Sequence, residues 1–265
     1  MNSLAMTVAD GLTITRRNLI KVKLVPDLIV FATLSPIMFV LLFRFVFGGA
    51  IKVPGDVSYA EFLLPGIFAQ TVVFGSTITG SSLADDLQKG LIDRFRSLPI
   101  AHSAVLVGRT VADLGLNALS IVVMAVTGLL VGWRIHTSAL EAAGGFLVLL
   151  GFAYAMSWLM AQVGLMVRTP EVVNNASFIV IFPITFVANT FVPLETFPSV
   201  LRTFAEWNPV SAVVQAARNL FGNSFGAPDV WSLQHPVLYS SLWGVAILAI
   251  FVPLAGRTYR NTASR

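Results

Sequence analysis

The chain has 265 residues, of which 56% are hydrophobic and only 11% charged, with a mean hydropathy of +0.81 and a net charge of +4. A soluble domain carries about 25% charged residues, so this composition excludes a water-facing globular fold. The absence of cysteine excludes disulfides and thiolate metal sites, and the small positive balance suits a membrane surface better than a nucleic acid.

In chain order, residues 4–25 predict an amphipathic helix. Leu4, Val8, Leu12, Leu19 and Val22 fall on one face, with Arg16, Arg17, Lys21 and Lys23 elsewhere. Such a helix lies on the inner leaflet with its cations near anionic lipid; the plainer reading is a solvated lead-in. This opening is too polar for a cleavable signal. Six apolar stretches follow, at 28–47, 61–82, 110–131, 143–167, 174–194 and 236–256. A hydrocarbon core about 30 Å thick takes about 20 helical residues to cross. Backbone groups in lipid must pair internally, so each stretch predicts a transmembrane helix. With six spans removed, no segment is long enough for a separate soluble domain, and residues 1–265 read as one transmembrane domain.

The N-terminus, the 83–109 loop, the 168–173 loop and the C-terminal tail hold twelve of the seventeen lysines and arginines. Four lie in the alternate segments, and Arg44 sits near the outer end of the first span. That asymmetry predicts cytoplasmic termini.

Polar residues inside the spans are few. Arg109 and Asp113 read as an i,i+4 pair at the membrane interface. Gln70, Asn117, Gln162, Asn174, Asn175 and Asn189 read as interhelical hydrogen-bonding groups, or as the lining of a path. Gly128 and Gly132 form a G-x-x-x-G pattern that permits close helix approach.

Two non-spanning segments carry pattern. In 83–109, Asp85 and Asp86 can pair with Lys89, Gly90 suits a helix end, and Leu91, Ile92, Phe95 and Leu98 form an apolar strip among Asp93, Arg94 and Arg96, stopped by Pro99. A short amphipathic helix of this form suits a groove on a partner, or rests on headgroups. In 195–235, Pro198 opens a short helical run containing Phe204 and Trp207, which Asn208-Pro209 breaks. A second run ends at Gly222. Together they predict a re-entrant or surface-lying helical hairpin on the outer side.

No chemistry of the enzyme kind is visible. His102, His136 and His235 fall in three different loops, and no acid or histidine spacing suits a metal. No catalytic, cofactor-binding or metal-binding residue is assigned. The G-x-x-x-x-G-K-[ST] phosphate loop is also missing, so ATP-driven work needs a separate subunit.

The run Lys89-Gly90-Leu91-Ile92-Asp93-Arg94-Phe95-Arg96-Ser97-Leu98-Pro99-Ile100 resembles the cytoplasmic segment of ABC-2-type transporter permeases. Asn189 to Pro198, followed by Trp207-Asn208-Pro209-Val210 and Ala217-Arg218-Asn219-Leu220, resembles their C-terminal signature, in the daunorubicin-resistance-type branch. The resemblance implies an all-α integral membrane permease with six transmembrane helices, an N-terminal interfacial helix, a cytoplasmic coupling helix and an outer re-entrant hairpin. It implies export of an amphipathic drug or lipid-like compound across the bacterial plasma membrane. The ATPase would be a separate chain in two copies, holding the ATP and Mg, beside a second permease subunit, the same or homologous. Lys89, Gly90, Leu91, Ile92, Arg94, Phe95, Leu98 and Pro99 would couple to that ATPase; Phe197, Pro198, Phe204, Trp207, Asn208, Pro209 and Arg218 would form the hairpin. Polysaccharide or glycolipid export, or an ATP-independent secondary carrier, are the alternatives. Partners would be membrane lipid and a hydrophobic or amphipathic substrate, with no nucleic acid.

Overall fold

A computed structural model describes residues 11–18, 20, 26–48, 58–91, 102–167, 169–226 and 229–262. Among them every regular element is helical. Helix α1 is Pro26–Leu42, continued by a π-helical turn at Phe43–Phe47. Helices α2 (Tyr59–Gly75) and α3 (Thr77–Gln88) form one run interrupted by a turn at Ser76. Then come α4 (His102–Leu130), α5 (Ala139–Met166), α6 (Pro170–Phe186), α7 (Ser199–Trp207), α8 (Pro209–Phe221), α9 (Trp231–Gln234) and α10 (Pro236–Thr262).

The helix starts follow local chemistry. Ser58 with Glu61, and Ser138 with Glu141, make reciprocal capping boxes at α2 and α5. Thr169 caps α6, Asn208 caps α8, and each is followed by proline at the first helical position. Gly222, at φ 72°, ends α8.

Among the described residues, four helices are long and apolar enough to cross a membrane: Tyr59–Gln88, Ser103–Leu130, Ala139–Met166 and Pro236–Asn261. Leu34–Val46 and Pro170–Phe186 are apolar but shorter. The stretch expected at 174–194 is therefore displaced: its helix runs from Pro170 to Phe186, and the chain turns at Val187 (φ −89°, ψ 48°). The stretch expected at 110–131 starts earlier, at His102.

Helix α5 stands at the centre and packs against α10, α3, α8 and α4. Its crossing with α3 is set by two glycines. A Cβ on Gly164 would collide with the Gly80 carbonyl, and one on Gly80 would come within 2.7 Å of the Met160 carbonyl. The Gly128–Gly132 pattern does not act as a packing seam. Gly128 does lie under Leu64 and Trp133, but Gly132 has φ 101° and open space around it, as a turn after α4.

Residues 11–18 are helical, and they pack on α4 by a face other than the one expected. Ile14 and Asn18 are buried, Thr15 Oγ1 donates to the Gly108 carbonyl (3.2 Å), and Leu12 points outward at 64% exposure. A small residue at 108 admits this contact, since a Cβ there would meet Ile14 at 2.7 Å. Leu4, Val8, Leu19 and Val22 lie outside the described residues.

Candidate functional site

Helices α1, α2, α3, α4 and α6 enclose a cavity of about 550 Å³. Its walls differ in character. Asp113, Asn117 and Ser120 come from one face of α4, at i, i+4 and i+7, and Gln70 and Thr71 come from α2. Opposite them stand Phe178, Phe182 and Phe186, at i, i+4 and i+8 along α6, with Phe74 of α2 and Phe39 of α1.

The rings form a file. Phe74 and Phe178 lie 6.3 Å apart, Phe178 and Phe182 4.9 Å, and Phe182 and Phe186 are stacked at 4.0 Å. The file continues through Phe191 to Phe43, stacked at 4.4 Å. Ring faces of this kind accept a flat apolar body by offset stacking, while the facing amides and hydroxyls orient polar substituents.

Arg109 and Asp113 form the expected i,i+4 pair, and it belongs to a network buried among the helices. Arg109 Nε donates to Asp113 Oδ2 (2.9 Å) and its Nη2 donates to Ser82 Oγ (2.7 Å), while Thr79 Oγ1 donates to the same carboxylate oxygen (2.7 Å). The i,i+4 spacing was legible in the sequence; the depth was not. Because α4 begins at His102, Asp113 lies three turns in and is 2% exposed.

Of the remaining polar positions, Gln162 makes an interhelical bond to Thr258 (3.1 Å), and Asn189 Nδ2 donates to Gln215 (3.3 Å). Asn117 instead donates to the Asp113 carbonyl of its own helix (3.0 Å). Asn174 and Asn175 are exposed on α6.

The segment after α6 is tied down by Arg218. This fully buried arginine donates from Nε to the Phe62 carbonyl (2.9 Å) and from Nη2 to the carbonyls of Asn189 (2.7 Å) and Thr190 (3.3 Å). Its guanidinium also lies 3.7 Å over the Phe62 ring. Helix α8, the 187–190 turn and the start of α2 are thereby fixed together. Asn208 Nδ2 adds bonds to the carbonyls of Ile184 (2.7 Å) and Val187 (3.0 Å). Pro198 precedes α7, Phe197 packs under it, and Phe204 and Trp207 are about half exposed. The two short helices and the Asn208-Pro209 break occur where expected, but α8 is enclosed from Val210 to Arg218 and does not lie on a surface.

At the far end of α3, Lys89 is exposed and paired with Asp85 (2.8 Å), which holds its ammonium above the ordinary lysine range. Asp86 turns inward and is buried. Gly90 takes φ 66°, as a helix end requires, and Leu91 is half-buried. Ile92, Arg94, Phe95, Leu98 and Pro99 lie outside the described residues. No group of three acidic or histidine side chains comes together as a cation site among the described residues. His136 instead meets Glu61 at 2.6 Å, at the opposite end of the bundle from Lys89.

The aromatic file was missed in the sequence, although phenylalanines repeating every fourth residue over 178–186 are its signal.

Residues 11–221 match the ABC-2 type transporter family. The chain is 34% identical over 257 residues to the daunorubicin resistance ABC transporter permease protein DrrB1 of Streptomyces coeruleorubidus, covering 97% of this chain and 88% of that protein. It is 25% identical over 255 residues to a probable doxorubicin resistance ABC transporter permease protein DrrC of Mycobacterium tuberculosis, covering 96% and 90%. A doxorubicin resistance ABC transporter permease protein DrrB of the same species is 26% identical over 209 residues, covering 78% and 72%.

Proposed function

This chain belongs to the ABC-2 type transporter family, and from that premise we propose what it moves and how. It is a multi-pass membrane protein, the permease subunit of an ATP-binding-cassette exporter. We propose that its substrate is an amphipathic compound with a flat ring system, a drug of the kind named in its relatives' resistance, and that this substrate binds between the α6 phenylalanines and the polar face of α4. The two-faced cavity is the observation that carries this reading.

The work comes from a separate ATPase chain, expected in two copies, with ATP and Mg bound there and no cofactor on the permease. A second permease subunit completes the transporter. The chain crosses the bacterial plasma membrane six times, with both termini cytoplasmic. The continuous run from Pro26 to Phe47 and the shorter α6 supply the two spans beyond the four long helices. In this topology Lys89 to Pro99 meets the ATPase on the cytoplasmic side, and α7–α8 is a helical hairpin at the outer side, with its 207–209 junction at headgroup level. Closure of the ATPase pair pushes on the Lys89 end of α3 and repacks the helices around the cavity.

The test is reconstitution of the chain with an ABC ATPase subunit in liposomes, read by daunorubicin-stimulated ATP hydrolysis and drug accumulation in inverted vesicles. Both should occur in wild type. Phe182→Ala and Asn117→Leu should each raise the drug concentration needed for half-maximal stimulation about tenfold, the equivalent of roughly 1.4 kcal/mol. Unchanged drug dependence in both variants would move the site elsewhere. Transport without nucleotide would overturn the exporter reading.

A further inference from the structure

A second cavity, of about 700 Å³, lies between α6 and α10. Helix α6 leans on α3, α10 leans on α5, and the two make little contact with each other. Helix α5 forms the back wall of the gap, and the α7–α8 junction at Trp207, Asn208 and Pro209 closes one end. Two small exposed residues, Ala176 and Ala246, flank its lateral side. Along α5 the lining runs from Phe152 to Val163, ~16 Å at 1.5 Å per residue.

Its chemistry differs from that of the first cavity. The deep lining is aliphatic, thioether and phenyl: Met156, Met160, Ile181, Ile247, Phe251. The polar side chains there are engaged with the protein. Ser177 Oγ donates to the Val173 carbonyl (2.6 Å). Asn208 Nδ2 donates to two carbonyls of the α6 end, and its Oδ1 accepts from the Val210 amide (2.9 Å). A ligand's polar group buried here would lose its water without gaining a partner, at a cost of about 1–3 kcal/mol.

The closed end carries a different signature. Trp207 and Trp243 are part of an aromatic cluster with Tyr239 and Trp231, at edge-to-face separations of 5.9–6.4 Å. Tyr239 Oη donates to the Trp207 carbonyl (2.9 Å). Trp and Tyr gather at the headgroup level of a bilayer, where an apolar ring body and a polar edge are both satisfied. The cavity therefore starts at one membrane–water boundary and runs toward the midplane, along the path of a lipid tail.

We propose that this cavity is a lipid site, holding one acyl chain of a phospholipid from the leaflet on the α7–α8 side, wedged between α6 and α10. The bound chain fills the gap that packing leaves and supports the α7–α8 junction from below. This rests on the chain spanning a bilayer and not on its transport function.

The test uses the full transporter complex in vesicles of phosphatidylethanolamine and phosphatidylglycerol. A small fraction of the phosphatidylethanolamine carries a diazirine midway along one acyl chain. After irradiation, peptide mapping should find cross-links on the inward residues Met160 and Ile247, besides those on outward residues such as Val245. In Ala246→Trp, which fills the lateral side, the inward cross-links should fall severalfold while those on Val245 persist. Should that variant fail to elute as a monodisperse complex, Ala176→Leu takes its place. Cross-links confined to outward faces would overturn the proposal, as would inward cross-links that survive the filling substitution. Loss of the inward cross-links on adding daunorubicin, with lipid held constant, would also overturn it by making this a substrate site.

Discussion

Asp113 and Arg109 are both withdrawn from water, yet neither is isolated: the carboxylate takes two donors and the guanidinium reaches two acceptors. A buried pair gives little net stability over an apolar pair of the same volume, but removing one member strands the other at a cost of about 3–5 kcal/mol. Asp113→Ala should therefore lower the melting temperature of the detergent-purified protein more than the double variant Arg109→Met with Asp113→Leu does. A double variant melting below the single would show that the pair, with its bonds to Thr79 and Ser82, gives net stability beyond the cost of burying its charges. Arg218 works differently, since its acceptors are three backbone carbonyls and a ring face. Lysine keeps the charge but presents a compact ammonium in place of the planar fork. Arg218→Lys should cost about 2 kcal/mol, and hydrogen exchange of the 187–197 segment should accelerate. Exchange at the wild-type rate would mean that the bonds from Asn208, Ser211 and Gln215 hold that segment without Arg218.

At the scale of elements, the signals that could be read were local. The Asn208-Pro209 break and the glycines at 90 and 222 each act within one turn, and each gave its boundary correctly, whereas the capping boxes at Ser58 and Ser138, equally local, went unread and the helices they open start two and four residues earlier than expected. What could not be read needed two distant segments at once. Gly80 and Gly164 are unremarkable alone, and only their facing each other reveals the α3–α5 crossing. The partial G-x-x-x-G at 128–132 misled for the same reason, because its second glycine belongs to a turn. Helix α4 starts at His102, eight residues before the apolar stretch read from the sequence, because its first two turns carry polar residues on one face, so Asp113 lies three helical turns in and not one. A discriminating pair of substitutions follows. Gly164→Val forces the two helices apart and should abolish accumulation of the folded protein in membranes. Gly151→Ala, on the same helix with open space around it, should be neutral or stabilising by up to about 1 kcal/mol. Equal yields from both would show that the crossing is looser than the structure has it.

At the scale of the molecule, the run from Tyr59 to Gln88 touches every part with a proposed role. Its first turn offers the Phe62 carbonyl to Arg218, its middle lines the aromatic cavity with Ile67, Gln70 and Phe74, and its end presents Lys89, Gly90 and Leu91. The turn at Ser76 lies beside the cavity: Gly75 and Thr77 line it, and Ser76 Oγ donates back to the Val73 carbonyl (2.6 Å). On the proposed coupling, a push at the Lys89 end would travel along α3 to the turn at Ser76, where the cavity wall begins. Binding and coupling should therefore separate by mutation. Leu91→Asp places a charge on the apolar strip without touching the cavity. It should leave daunorubicin binding to the purified permease, read by quenching of drug fluorescence, at the wild-type value. In liposomes with the ATPase subunit, the same variant should hydrolyse ATP at the basal rate with drug stimulation lost. Normal stimulation in Leu91→Asp would remove the Lys89 end from the coupling path, and weakened drug binding would place Leu91 in the structure of the site instead.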